Sequence, residues 1–154
     1  KGFDFSMFMQ SCVGNEIANA LVMDIYSSEF GQWNMSKKMM NRWHGEGTTN
    51  VYPRLIASDP NENARFSDRY VEDGSYLRMK NLQLGYTLPS TFTKKFNVSK
   101  LRIYGSIDNV FVLTKYSGFD PEMGDLLGNP LSIGVDLASY PRPRTFVLGF
   151  NISL

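Results

Sequence analysis

From Thr145 the chain reads TFVLGFNISL, and this ten-residue run restricts the possible folds more than any other feature. Phe146, Leu148, Phe150, Ile152 and Leu154 recur at period 2, with Thr145, Val147, Gly149, Asn151 and Ser153 between them. Successive side chains of a strand point to opposite faces, so one face is wholly apolar and the other small or polar. A helix would scatter the same residues around its circumference. About ten residues is also the length a tilted strand needs to cross a bilayer.

Three more segments repeat the design, and the strands are expected near 2–11, 76–88, 101–113 and 145–154. Phe3, Phe5, Met7 and Met9 alternate with Asp4, Ser6, Phe8 and Gln10. Leu82, Leu84, Tyr86 and Leu88 alternate with Gln83, Gly85 and Thr87, while Leu77 and Met79 lie in the opposite phase. That phase change predicts either a bulge near Lys80–Asn81, where one extra residue would exchange the faces, or a separate pairing there. Leu101, Ile103, Ile107, Phe111 and Leu113 form a fourth apolar row, interrupted at Gly105 and Asn109 and opposed by Arg102, Tyr104, Ser106 and Asp108.

The connections are sorted by length. The stretches near 12–74 and 114–144 are long and the one near 89–100 is short. Outer-membrane barrels sort their loops in this way, with short turns on one side and long loops on the other. Within the long stretches, Ile17, Leu21 and Ile25 predict a helix over 15–28, and Ser36 is placed to cap a second through Lys37, Met40 and Trp43. Residues 48–68 and the proline-rich 114–144 read as irregular.

Composition closes off other classes. The 16 basic and 15 acidic residues nearly cancel, so there is no basic surface of the kind nucleic acid requires. A 42% hydrophobic content at low net charge argues against disorder. One cysteine, Cys12, cannot form an internal disulfide, and one histidine, His44, cannot make a His-rich metal site. No cofactor is expected. The chain begins at Lys1 and reads as a piece of something longer.

Catalytic arrangements are weak. Glu72 and Asp73 would point to opposite faces of an extended segment. Asp120-Pro121-Glu122 reads as a turn. Asp59-x-Asn61-x-Asn63 begins like a calcium loop but has Ala64 and Tyr70 where that loop requires Gly and Glu. Gly45-x-Gly47 reads as a helix stop. The chain is expected not to be an enzyme.

Several longer runs carry a family resemblance: YVEDGSYLRMKNLQLGYTLP (70–89), LRIYGSIDNVFVLTKYSGFDPE (101–122), ASYPRPRTFVLGFNISL (138–154), NRWHGEGTTNVYPR (41–54) and DPNENARFSDRY (59–70). They resemble the C-terminal region of the SusC/RagA-type TonB-dependent transporters of Gram-negative outer membranes, in order and over nearly the whole chain. The resemblance implies an all-β fold, the last strands of a large antiparallel transmembrane barrel of about 22 strands. The long loops would be extracellular and carry short helices, 89–100 would be a periplasmic turn, and the plug and N-terminal barrel would lie outside this chain. It further implies import of oligosaccharides or peptides with a SusD-like surface lipoprotein, energised by the TonB complex through a missing N-terminal part. The remaining partners would be the rest of the barrel, its plug and outer-membrane lipid.

On that orientation Trp33, Trp43, Tyr52, Tyr116, Phe119 and Tyr140 fall in extracellular loops, where aromatic faces can stack on sugars or anchor a partner. Packing of the loops against themselves is the alternative use of the same rings. Asp4, Arg102 and Asp108 would face the lumen. The competing fold is a soluble all-β carbohydrate-binding module with the apolar faces turned inward, and a secreted hydrolase rests only on the weak carboxylate pairs.

Overall fold

The computed structural model describes residues 2–27, 34–122 and 130–154. In chain order it contains β1 (Phe3–Cys12), β2 (Glu16–Asn19), α1 (Ala20–Ile25), β3 (Val71–Asp73), β4 (Tyr76–Thr87), α2 (Ser90–Thr93), β5 (Lys100–Thr114), β6 (Val135–Asp136) and β7 (Thr145–Ser153). Short 3-10 turns occupy Lys37–Asn41, Asp68–Tyr70, Lys94–Phe96 and Pro130–Ser132. Two compact units result. One comprises Lys1–Val13, Ser75–Lys115 and Pro141–Leu154, and the other Gly14–Gly74 with Tyr116–Tyr140.

The first unit is an antiparallel sheet in the order β1-β4-β5-β7. Its register aligns the apolar rows of the sequence into one continuous face. Phe5 pairs with Leu84, Leu84 with Gly105 and Gly105 with Leu148. One level nearer the short connection, Phe3, Tyr86, Ile103 and Phe150 form the next row. The rings of Phe3 and Tyr86 meet at 4.6 Å. The opposite face collects Asp4, Gly85, Tyr104 and Gly149 at one level and Ser6, Gln83, Ser106 and Val147 at another.

The expected bulge is present and involves more than one strand. Between one paired level and the next, β1 advances from Phe8 to Met9, β4 from Asn81 back to Met79, and β5 from Asp108 to Phe111. Lys80 is therefore extra in β4, and Asn109 and Val110 are extra in β5. Asn109 takes a left-handed φ of 53°, which asparagine tolerates better than most residues. Its interruption of the apolar row is thus a feature of the bulge. The extra residue in β4 returns Leu77 and Met79 to the face of Leu82 and Leu84 despite their opposite phase in sequence.

The apolar face is left uncovered among the described residues: Leu148 is 84% exposed. A soluble module of two closed layers would bury those side chains, which is the reverse of this arrangement. Both long excursions leave the sheet at the end where Cys12, Tyr76 and Thr114 are aligned, and the short connection closes the other end.

The second unit holds its own small core, built on Ile17, Met39, Ala64, Tyr70 and Tyr116. Here the sequence reading needs correction. The helix expected over 15–28 begins only at Ala20, because Glu16–Asn19 pairs with β3 and β6 in a three-stranded sheet. Ile17 is β-branched and almost fully buried in that sheet, which outweighs its helical spacing from Leu21. Asn19 then caps α1, its side chain accepting from the Val22 N–H at 3.0 Å. Ser36 accepts from the Lys38 N–H at 3.3 Å as expected, but the turn it starts is 3-10 and stops at Asn41, before Trp43.

Candidate functional site

The polar face of the sheet is cross-linked by side chains that reach over their neighbours. Asp4 of β1 and Arg102 of β5 form an ion pair, with Arg102 Nε donating to Asp4 Oδ2 at 2.9 Å and Nη2 donating to Oδ1. β4 lies between them and contributes Gly85, where a Cβ would collide with both charged groups. The glycine is what lets the two side chains meet. Arg102 also lies over the Tyr104 ring, 5.0 Å from its centre, and that ring covers Gly149 of β7. One ladder of side chains therefore spans all four strands on this face. Asn81 donates to Asp108 at 2.6 Å, and Gln10 donates to the Tyr76 hydroxyl at 3.1 Å.

Asp4, Arg102 and Asp108 all lie on this polar face. Sequence reasoning missed Arg78, which is buried on the same face and pairs in register with Gln10 and Val112. Its position beyond the bulge puts it in the phase that reads as outward until the extra residue is counted.

In the second unit Glu72 organises the packing. Its Oε1 accepts from Asn19 Nδ2 at 2.8 Å and from Ser117 Oγ at 2.7 Å, and its Oε2 accepts from the Ser117 N–H at 2.9 Å. This carboxylate ties Asn19 of β2 to Ser117 and so acts as a structural clamp. Tyr116 donates to Asp136 Oδ2 at 2.6 Å, and Asp136 Oδ1 accepts from the Ser139 N–H at 2.9 Å. Burial, reinforced by the bond to Asp136, raises the Tyr116 phenol far above the ordinary tyrosine range. Tyr70 is likewise raised, chiefly by burial.

A third group alternates cations and aromatic rings. Lys38 lies over Tyr26 at 5.9 Å, Tyr26 meets Tyr52 edge-on at 5.4 Å, and Arg69 lies over Tyr52 at 5.6 Å. Trp43 joins through its backbone N–H, which donates to the Tyr52 backbone carbonyl at 2.9 Å, and Arg54 lies 5.9 Å from the Trp43 ring. Lys38 is held above its ordinary pKa, first by its hydrogen bond with Tyr26. A cavity of about 10 Å³ beside this group, bordered by Tyr26, Arg54, Asp59 and Tyr70, has room for a single water and for no larger ligand.

The structure thus sorts the aromatic candidates. Trp43 and Tyr52 come together and are half-buried in loop packing. Tyr116 is only 6% exposed, so its ring does not present a binding face. Phe119 and Tyr140 are 58% and 89% exposed. Trp33 lies outside the described residues. Asp59 closes its own turn, accepting from Asn63 Nδ2 and the Ala64 N–H, both at 2.8 Å. Asp120 accepts from the Glu122 N–H at 2.9 Å, as the turn reading required.

No family model matches the chain. TonB-dependent receptor P3 of Formosa agariphila is 38% identical over 156 aligned residues, which cover 99% of this chain and 15% of that protein. TonB-dependent receptor SusC of Bacteroides thetaiotaomicron is 33% identical over 87 residues, 56% of this chain and 8% of that protein. The solved structure of the RagAB peptide transporter superposes with a TM-score of 0.81 at 28% identity, covering 99% of this chain and 16% of the other. The chain therefore spans about a sixth or less of the length of these relatives.

Proposed function

The chain belongs to the SusC/RagA type of TonB-dependent transporter, and on that premise we propose that it forms wall and loops of an outer-membrane importer. The carrying observation is the two-faced sheet, one face apolar and uncovered, the other tied together by polar side chains. A barrel wall between hydrocarbon and an aqueous lumen requires that pairing of faces. In this reading the chain is the C-terminal part of the barrel, with its periplasmic turn at 89–100 and its long excursions outside the cell. Asp4, Arg102 and Asp108 line the lumen or meet the plug.

The imported substrate is an oligosaccharide or a peptide, taken up with a SusD-like surface lipoprotein and energy relayed by the TonB complex. Exposed rings at Phe119 and Tyr140 suit stacking on sugars, whereas the likeness to the RagAB peptide transporter favours peptides. The chain itself carries no catalytic role. The deciding experiment is uptake by a Gram-negative host with and without the full-length gene, using labelled oligosaccharides and labelled peptides in parallel. Loss of one class only identifies the substrate. Unchanged uptake of both, with the protein in the outer membrane, would refute the importer reading.

A further inference from the structure

Three glycines lie within the strands of the four-stranded sheet, and the chain uses the space at two of them. At Gly85 and Gly149, both on the polar face, an added Cβ would strike side chains that already occupy the site. Gly105 differs. It pairs with Leu84 and Leu148 on the apolar face, and a Cβ there would meet only the Val147 carbonyl oxygen, at 3.9 Å. Its φ is not positive, so no turn requires glycine, and glycine inside a strand weakens it. The missing side chain deepens a shallow, open depression in the apolar face, lined by Leu82, Leu84, Ile107, Phe146 and Leu148.

We propose that this dent seats an acyl chain of a glycerophospholipid whose headgroup phosphate is held by Lys95. The proposal rests on the reading of the apolar face as lipid-facing, and adds a specific lipid position to it. The segment 89–100 carries Lys94, Lys95 and Lys100 and no acidic residue, so its charge is complementary to a phosphate. Phe92 and Phe96 are 63% and 78% exposed, and Lys95 Nζ lies 5.9 Å from the Phe92 ring centre. Exposed aromatics beside a lysine mark the boundary between headgroups and hydrocarbon. From Lys100 to Gly105 the strand rises about 17 Å, or about 13 Å in depth at a tilt of about 40°. That lies within one leaflet of about 15 Å. A lipid whose phosphate sits at the end of the strand marked by Lys100, which the segment carrying Lys95 directly precedes, therefore carries its chain past the dent.

The test is native mass spectrometry of the full-length transporter purified from outer membranes in mild detergent, with palmitoyl-oleoyl phosphatidylglycerol added as probe. Wild type should retain the lipid, and Gly105→Leu, which fills the dent, should lower retention about ten-fold. Lys95→Gln should also lower it, and a heat-dependent gel shift should show a closed barrel in each variant. Cryo-electron microscopy of wild type with a brominated acyl chain gives a reading independent of the variants: bromine density belongs in the dent. Equal retention in a closed Gly105→Leu barrel, density for protein or lipopolysaccharide in the dent, or a dent without bromine overturns the proposal. In those cases a wild-type barrel in the membrane fraction leaves the lipid-facing reading standing, whereas absence from that fraction removes the reading itself.

Discussion

Asp4 and Arg102 meet across a strand that belongs to neither of them, through the space left by Gly85. The contact ties the first and third strands of the sheet directly. Gly85→Leu should displace the pair and overpack a buried position, at a cost of about 1–3 kcal/mol. The heat-stable fraction of full-length barrel on unboiled gels should fall further for Gly85→Leu than for Asp4→Asn. Equal behaviour of the two variants would mean that the glycine serves some other purpose.

Facing predicts a sharp asymmetry within β7. Leu148→Arg puts a charge on the uncovered apolar face, where a basic residue near midplane costs about 2–4 kcal/mol. Asn151→Ser changes the polar face, beside Arg102 in register. The first should deplete protein from the outer-membrane fraction and the second should not. Similar recovery of both would sink the assignment of faces.

The buried phenols predict an alkaline limit for the loop unit. Tyr116 and Tyr70 both have raised pKa values, so folding favours their neutral forms. Their contribution is complete below the unfolded tyrosine pKa of about 10 and is lost as pH rises through the higher folded values. Ultraviolet titration of wild type minus Tyr116→Phe should show the Tyr116 component ionising later than free tyrosine. Ionisation near the free value would show that the ring is not enclosed.

Asp136 should matter to the packing of the loop unit. Asp136→Ala removes the acceptor of the buried Tyr116 hydroxyl, at about 1–3 kcal/mol, and releases the exposed Ser139 N–H to water. Limited proteolysis of intact cells should nick the 116–140 excursion faster in Asp136→Ala than in wild type. Tyr116→Phe, which removes the donor and leaves the ring, should fall between them.

Exposure separates rings open to a ligand from rings used in packing. Phe119→Ala and Tyr140→Ala should reduce substrate uptake while leaving protease resistance unchanged. Trp43→Ala should raise protease sensitivity, because its ring lies against Arg54 and its backbone against Tyr52. Loss of uptake in Trp43→Ala alone, without loosening, would reverse the roles.

The sheet was legible because a strand with two unlike faces writes its geometry into alternate residues, and even the bulge showed as a change of phase between Met79 and Leu82. The loop unit was less legible. Ile17 belongs to a helical spacing and to a strand at once, and only pairing with residues more than fifty positions away decides between them. Tyr116 and Phe119 are indistinguishable as aromatic residues in a glycine-rich loop. Their separation depends on Asp136, twenty positions on, whose role has no local signature. Arg78 was hidden for a third reason: its face can be assigned only after Lys80 has been counted as extra.

That extra residue makes the wall sensitive to parity. Across the bulged level β1 takes one step, β4 two and β5 three, so β4 alone reverses the odd–even assignment of its faces, and β5, with two extra residues, keeps its own. An insertion or deletion of a single residue elsewhere in a strand would turn everything beyond it inside out, while a change of two would leave both faces intact. Strand lengths in this wall can therefore drift only in even increments, unless a compensating bulge appears at the same level. Outside their own short paired strands, β2, β3 and β6, the excursions at 14–74 and 116–140 obey no such rule, which leaves their irregular stretches free to diversify against a wall of fixed parity.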